Sequence, residues 1–146
     1  MRILAIASAG GHWIQLLRLK PAFAEQEVIF VSTKQSFSET VKEHDFYSIP
    51  NASRQSKLRL IYMAFCVAKL ILSLKPDIVI TTGAAPGLLG IMIGKILGLK
   101  TLWVDSIANV ERVSLSGKIA IFFADNVYTQ WPHLATSKIK FSGSVL

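Results

Sequence analysis

The sequence predicts an α/β fold in which a Rossmann-like parallel sheet carries helices on both faces. Short apolar runs alternate along the chain with longer helix-like segments, which is the order of consecutive β-α-β units. Most of the short runs carry apolar residues on both faces, as expected for strands of a parallel sheet covered by helices. Two of them lead directly into glycine-containing loops, and such loops in α/β proteins commonly lie over a ligand crevice.

The first half of the chain contains three predicted strands. An apolar run from Arg2 to Ser8 forms the first, and a helix from about His12 to Ala24 follows, which Pro21 is expected to shorten or kink. The β-branched and aromatic run Glu27–Ser32 predicts the second strand, and Phe46–Ile49 predicts a weaker third one.

The second half repeats the alternation. Ser53–Lys75 predicts a long helix that is ended by Pro76, and Asp77–Thr82 predicts a buried strand. The remaining elements, in chain order, are a loop Gly83–Gly87, a helix Leu88–Leu97 closed by Gly98, a strand Lys100–Asp105, a helix Leu115–Ala124, and strands Asn126–Gln130 and Lys138–Phe141.

Length and composition limit the class of protein. The 146 residues are too few for two domains with cores of their own, so residues 1–146 are expected to form one domain. Hydrophobic residues make up 51% of the chain and the net charge is +7, which favours an anionic membrane surface as a partner. Nucleic acid is not expected, because the cations are dispersed. The single Cys66 and the lack of a visible signal peptide indicate a reducing cytoplasm.

The loop after the first strand is the first candidate for a ligand site. Glycine lets the backbone turn sharply and lets a ligand approach, and a helix start offers unpaired N–H groups to an anion. Here Ser8, Gly10 and Gly11 stand at the turn, and His12 adds a side chain that titrates near neutral pH. A tight turn with a surface histidine explains the same residues, and the sequence leaves both interpretations open.

A second loop at the same sheet edge contains Gly83 and Gly87 on either side of Pro86. Beyond it, glycine recurs at every fourth position, as Gly90, Gly94 and Gly98. Residues at this spacing share one helix face, and packing of that face against the sheet is the favoured interpretation.

The loop that begins at Asp105 brings carboxylates and an amide to the end of another strand. Asp105, Asn109 and Glu111 show no helical spacing, and loops at this edge often form sites. Capping of the next helix by Ser114 or Ser116, with Glu111 merely solvated, is the alternative. The residues favour a functional role for Asp105 and Glu111.

The segment Lys57–Lys75 predicts an unusually apolar helix. Its uncharged stretch, Leu60–Ala68, is shorter than the ~20 residues that a bilayer crossing requires, and Lys69 interrupts a longer span. A helix lying on an anionic bilayer would place apolar residues in the membrane and the basic ones on headgroups. Those basic residues are Arg54, Lys57, Arg59, Lys69 and Lys75. A core helix between the sheet and a protein partner is the alternative.

Familiar catalytic and cofactor motifs are absent from the sequence. It has no Gly-Lys-Ser/Thr phosphate loop and no Gly-x-Ser-x-Gly elbow, and Gly10-Gly11 does not continue as a dinucleotide fingerprint. One cysteine and three scattered histidines argue against a closed metal site. We therefore expect no cofactor and no metal ion, and an autonomous dehydrogenase, kinase or hydrolase is disfavoured.

Four segments together resemble the N-terminal half of a GT-B glycosyltransferase: Ser8–His12, Pro76–Gly83, the acidic loop from Asp105, and Ala124–Trp131. The chain is similar to bacterial exopolysaccharide or capsule glycosyltransferase subunits. It is also similar to the membrane-anchoring subunit of the split eukaryotic enzyme that adds the second N-acetylglucosamine to dolichol-linked sugar. It resembles more distantly the peptidoglycan enzyme that glycosylates lipid I.

The resemblance implies one subunit of a two-component transferase for polysaccharide biosynthesis, inactive or nearly so alone. A separate C-terminal-type GT-B subunit would carry the UDP-sugar site. This chain would hold a polyprenyl-diphosphate-linked acceptor and attach peripherally to the cytoplasmic face of the cell membrane. The transfer would invert the anomeric centre by direct displacement.

The resemblance also implies roles for particular residues. The first-loop motif lies near the acceptor diphosphate, with His12 as the candidate base. The expected catalytic residues are His12, Asp105 and Glu111. The expected substrate-binding residues are Ser8, Gly10, Gly11, Gly83, Gly87 and Asn109. Lys57, Arg59, Lys69 and Lys75 are the expected membrane contacts. Two alternatives stay open: a non-catalytic membrane scaffold for the partner, and a stand-alone small-molecule-binding Rossmann-like domain.

Overall fold

The computed structural model describes residues 1–53 and 55–145, and within them it confirms the predicted fold class. In these ranges, seven parallel strands form one sheet in the order β3-β2-β1-β4-β5-β6-β7. The strands are β1 (Arg2–Ala7), β2 (Glu27–Ser32), β3 (Asp45–Ser48), β4 (Ile78–Gly83), β5 (Lys100–Val104), β6 (Asn126–Thr129) and β7 (Lys140–Phe141). The α-helices are α1 (Gly11–Arg18), α2 (Lys57–Leu74), α3 (Ala85–Ile96) and α4 (Leu115–Ala120), and short 3-10 helices cover Lys20–Phe23, Gln35–Thr40 and Pro132–Leu134.

Two predicted helix bounds are wrong for reasons that involve proline. The expected helix from His12 to Ala24 is α-helical only to Arg18, and Pro21 then lies in the 3-10 turn Lys20–Phe23. Proline has no N–H to continue the α-helical ladder. The expected loop Gly83–Gly87 is partly helical, because α3 begins at Ala85 with Pro86 in its first turn. The fixed φ of proline suits a helix start.

Other helix bounds are also shorter than predicted. α2 begins at Lys57 rather than Ser53 and ends where Lys75 adopts a left-handed φ of 49° before Pro76. α4 stops at Ala120 rather than Ala124. The bounds of β2 are as predicted, those of the other strands differ by one or two residues, and the 3-10 helix Gln35–Thr40 was not predicted.

Helices cover both faces of the sheet because alternate strand residues point to opposite sides. On one face, Met63 of α2, Ile91 of α3 and Ala120 of α4 pack in a single buried cluster with sheet residues such as Ile6 and Val79. On the other face, Trp13 and Leu16 of α1 pack with Ala5 and Phe30. The strands β1 and β4 therefore lie in the middle of the core, and their carboxyl ends are buried.

Glycines let α3 lie close to the sheet. A Cβ atom at Gly90 would lie 2.6 Å from Cδ1 of Ile6, and one at Gly94 would lie 3.0 Å from Cγ2 of Val79. The predicted packing role is thus confirmed for these two glycines. Gly98 does not share it, since nothing lies within 4 Å of its Cβ position, but its φ of +79° ends the helix as predicted.

Candidate functional site

A cavity of about 630 Å³ lies at the carboxyl edge of the sheet, over the ends of β1, β4 and β5. β2 and β3 lie on one side of β1, and β4 to β7 lie on the other. This edge is therefore the topological switch point, where open α/β sheets bind ligands. The cavity lining mixes apolar residues, among them several alanines, Pro86 and Leu115, with polar groups: hydroxyls of serine and threonine, two asparagine amides and the imidazole of His12.

Two helices without a side-chain cap, α1 and α3, start at this cavity, and α4, whose start is capped by Ser114, begins there as well. α1 begins at Gly11, directly after Gly10 with its φ of +90°, and α3 begins at Ala85, which lines the cavity. No side chain caps either start. The first-turn N–H groups of a helix have no partner within the helix, and its N-terminal end is electropositive. The two starts together suit an anionic group such as a phosphate.

His12 lies in the first turn of α1 and lines the cavity. Its Nδ1 is 2.8 Å from the carbonyl oxygen of Thr82. Because a carbonyl oxygen can only accept, Nδ1 carries a proton and Nε2 of the neutral ring is left as an acceptor. Thr82 Oγ1 donates to the carbonyl oxygen of His12 at 2.6 Å, so two hydrogen bonds join these residues. This contact selects one tautomer of His12.

Asp105 is only 2% exposed and does not line the cavity. Its Oδ1 accepts hydrogen bonds from Trp103 Nε1 at 3.0 Å and from Ser114 Oγ at 2.6 Å. Its Oδ2 accepts from Asn109 Nδ2 at 3.1 Å and from the Ser114 N–H at 3.0 Å. Both oxygens are thus used inside the protein, to hold the loop between β5 and α4. This placement argues for a positioning role rather than the catalytic role that the sequence suggests.

The predicted site residues separate into two groups. The structure brings together four of them in the cavity lining: Ser8, His12, Gly83 and Asn109. The other five lie outside the lining: Gly10 and Gly11 are exposed at the start of α1, Glu111 is exposed, Asp105 is buried after β5, and Gly87 is buried in α3. A Cβ atom at Gly87 would lie 1.9 Å from Oγ1 of Thr81, so this glycine serves the packing of α3 on β4.

The sequence reasoning missed several polar residues in the lining. They are Thr33, which directly follows β2, Asn51 and Ser53, which follow β3, and Ser106, which follows β5. The signal that could have found them is the one used for the other loops, since polar residues just beyond a parallel strand lie at the carboxyl edge of the sheet.

A network of buried amides fixes the wall behind Ser106. Gln15 of α1 donates through Nε2 to Ser106 Oγ at 3.0 Å and accepts through Oε1 from the Ile107 N–H at 3.1 Å. Gln130 Nε2 donates to the same oxygen at 2.6 Å, and Gln130 Oε1 accepts from the Val145 N–H at 2.7 Å. The network joins α1, the loop after β5 and the segment around Val145 behind the cavity wall.

α2 leaves an apolar face uncovered by the described residues. Met63, Val67 and Ile71 point to the core, whereas Leu58, Ile61, Tyr62, Phe65 and Leu72 are exposed at helical spacing. Leu58 is 82% exposed and Phe65 is 67% exposed. The basic residues Lys57, Arg59, Lys69 and Lys75 are also exposed, and Arg54 lies outside the described residues. In the part of the chain that the structure describes, no helix combines the length and apolarity needed to span a bilayer.

Solved structures share the fold. MurG from Acinetobacter baumannii superposes with a TM-score of 0.77 and 16% identity, over 97% of this chain and 45% of that protein. UDP-N-acetylglucosamine 2-epimerase from Rickettsia bellii gives a TM-score of 0.74 and 16% identity, over 99% of this chain and 45% of that protein. At such identities the likeness shows the Rossmann-like GT-B fold alone, and the chain spans less than half of either protein.

Curated relatives match along nearly the whole chain. The mouse protein named UDP-N-acetylglucosamine transferase subunit ALG14 is 30% identical, over 99% of this chain and 81% of its own length. Its human counterpart is 25% identical over the same shares, and that of Yarrowia lipolytica is 27% identical over 92% of this chain and 75% of its own length. The family described as "Oligosaccharide biosynthesis protein Alg14 like" matches residues 32–145. The chain therefore belongs to the Alg14-like family of oligosaccharide biosynthesis proteins.

Proposed function

We propose that the chain is the acceptor-binding subunit of a two-component glycosyltransferase. It would hold a lipid-diphosphate-linked saccharide while a separate GT-B subunit supplies a UDP-sugar, with N-acetylglucosamine as the favoured sugar. The cavity at the switch point carries the proposal, because it joins two uncapped helix starts with an imidazole that has a free acceptor nitrogen. The name of the relatives, UDP-N-acetylglucosamine transferase subunit, supports both the sugar and the division into subunits.

The proposed chemistry is a single displacement. Nε2 of His12 accepts the proton of an acceptor hydroxyl while the oxygen of that hydroxyl attacks the anomeric carbon of the donor sugar. The bond between that carbon and the β-phosphate oxygen of UDP breaks with its electron pair on the oxygen, UDP leaves, and the anomeric configuration inverts. The imidazolium then releases its proton to solvent. A positioned general base typically contributes a rate factor of about 10² to 10⁴.

We further propose that the protein works at the cytoplasmic face of the cell membrane and is attached through α2. The uncovered apolar residues of α2 and its exposed lysines and arginine would face an anionic bilayer, where a lipid-linked acceptor is found. Bacterial exopolysaccharide or capsule assembly is the context that we propose, in keeping with the bacterial subunits that the sequence resembles.

Reconstitution with a partner tests the proposal. A C-terminal-type GT-B subunit encoded by a neighbouring reading frame is co-expressed with this chain. Transfer from UDP-N-acetylglucosamine to a short-chain polyprenyl-diphosphate-linked sugar is then assayed with each protein alone and with both. We expect turnover only with both proteins present. No turnover and no complex would overturn the two-component proposal and favour a stand-alone binding domain.

Substitution of His12 distinguishes catalysis from scaffolding. His12→Ala and His12→Gln should lower turnover by a factor of about 10² to 10⁴ while partner binding and vesicle binding are kept. His44→Ala is a matched control, since His44 packs on Phe30 and lies outside the cavity lining. Unchanged turnover in both His12 variants would overturn the catalytic role of His12 and favour a non-catalytic scaffold for the partner.

A further inference from the structure

Two side chains of the cavity lining each have one polar atom bound within the protein and a second one left over. His12 uses Nδ1 on the Thr82 carbonyl, and Asn109 uses Nδ2 on Asp105 Oδ2 at 3.1 Å. The atoms left over are Nε2 of His12 and Oδ1 of Asn109. In the neutral ring and in the amide, both of these atoms are hydrogen-bond acceptors.

The orientation of the Asn109 amide follows from the other partners of Asp105. Trp103 Nε1 and the Ser114 main-chain nitrogen can only donate, and they bind Oδ1 and Oδ2 of Asp105 respectively. Both oxygens of Asp105 therefore accept hydrogen bonds, because each is bound by a group that can only donate. The Asn109 group that faces Oδ2 must therefore be the NH₂, and its carbonyl oxygen is turned away from Asp105.

We propose that Asn109 Oδ1 is a specificity-determining acceptor for the saccharide and that Asp105 is the positioning residue that orients it. The ligand it fits is a sugar with two donors: a hydroxyl that bonds His12 and a second hydroxyl or amide N–H that bonds Asn109. This inference rests on the proposed function, since it names what the same cavity recognises. Asp105 itself does not contact the saccharide.

Kinetics of the reconstituted complex test the coupling between the two residues. Asn109→Ala and Asp105→Asn should each raise the acceptor KM about 10- to 100-fold and change kcat far less, because a ligand donor loses its partner. The loss in the double variant should be clearly smaller than the two single losses combined, since Asp105 acts on the saccharide in part through Asn109. Asp125→Asn is the matched control, because Asp125 lies among the lining residues of a different pocket, with Lys95 and Thr101. Additive losses in the double variant would overturn the proposal.

Saccharide substrates that each lack one hydroxyl identify which group of the sugar donates a hydrogen bond to Asn109. Monodeoxy forms of a short-chain polyprenyl-diphosphoryl-N-acetylglucosamine are compared in the wild type and in Asn109→Ala. The wild type should discriminate against one deoxy position by about 10- to 100-fold, and Asn109→Ala should accept that analogue and the parent equally. Equal discrimination in both proteins would overturn the proposal.

A readout without turnover separates failure of this inference from failure of the proposed function. The side-chain NH₂ of Asn109, assigned by its loss in Asn109→Ala, should exchange slowly with D₂O in the free wild-type chain and rapidly in Asp105→Asn. Unchanged exchange would overturn the positioning role of Asp105. Titration with the parent acceptor should shift signals around Asn109 even where no partner gives turnover, and a titration that leaves them unmoved would also overturn the proposal.

Discussion

The imidazole of His12 rests directly on Gly83. A Cβ atom at Gly83 would lie 2.7 Å from Nδ1 and 2.8 Å from Cε1 of the ring. The φ of Gly83 is +118°, a region that side-chain-bearing residues rarely adopt. Glycine is therefore required at the end of β4 both by the backbone and by the ring that lies against it.

Gly83→Ala should displace the His12 ring and lower transfer in the reconstituted complex at least tenfold, since the ring must leave the Thr82 carbonyl. Gly98→Ala is the matched control: Gly98 also has a positive φ, of +79°, but open space at its Cβ position. Both variants should lose about 1 kcal/mol of stability from backbone strain, and only Gly83→Ala should change the ¹⁵N shifts of His12. Equal activity in the two variants would contradict the packing relationship.

Gly87→Ala should destabilise the fold by about 1–3 kcal/mol, as expected of overpacking. The new Cβ would meet Thr81 Oγ1 at 1.9 Å, and Thr81 cannot turn aside without losing the hydrogen bond that its hydroxyl accepts from the Gly83 N–H. Gly94→Ala should be nearly neutral, because its 3.0 Å contact with Val79 Cγ2 is offset by a helix-propensity gain of about 1 kcal/mol. Urea unfolding followed by tryptophan fluorescence measures both, and equal midpoints would refute the expectation.

Phe65→Ser combined with Leu72→Ser should weaken binding to vesicles of phosphatidylcholine and phosphatidylglycerol at least tenfold, because each large apolar side chain contributes about 1.5–3 kcal/mol when buried. Both residues are exposed, so the free energy of unfolding should change little. Met63→Ala, on the buried face of α2, should instead cost about 2–5 kcal/mol of stability. Flotation that is unaffected by the double substitution would show that α2 does not contact the bilayer.

Asp125 should make the free energy of unfolding depend on pH in the acidic range. The hydrogen bond from Lys95 at 2.6 Å, helped by the Thr101 N–H, holds the pKa of this carboxyl below its ordinary value. A carboxyl with a lower pKa in the folded state stabilises it above the unfolded pKa of about 3.9, and this contribution is lost as the pH falls through the folded pKa.

Asp125→Asn should therefore lose stability at pH 6 and little at pH 3, measured by urea unfolding at both values. The difference should stay below about 1 kcal/mol, because the pair is partly exposed and screened by water. Lys95→Met should remove most of the acid-dependent difference between wild type and variant, since Lys95 is the main cause of the lowered pKa. A stability difference that does not vary with pH would contradict this origin.

The sequence predicted the alternation of elements well because that pattern is local. It placed Ser8, His12, Gly83 and Asn109 at one edge correctly, since the carboxyl ends of parallel strands share an edge. The start of α3 was missed because Ala84 and Ala85 carry no capping side chain.

The hydrogen bonds that Asp105 accepts could not be predicted from a local sequence pattern. The spacing of residues 103 to 114 does not reveal that one carboxylate gathers donors from Trp103, Asn109 and Ser114. That arrangement depends on how the loop closes on itself, and the direction of closure is set by Gln15 and Gln130 from distant segments.

β1 is one of the innermost strands of the finished sheet, but one of its edges is exposed during synthesis. β1 pairs with β2 on one side, and its other partner, β4, begins only at Ile78, after β3 and the whole of α2. While the chain emerges from the ribosome, one side of β1 is therefore an open strand edge, which can pair with the strands of other chains. A strand that is almost fully buried in the finished sheet is thus open to misassembly during synthesis, and the candidate cavity lacks part of its base until β4 pairs with β1.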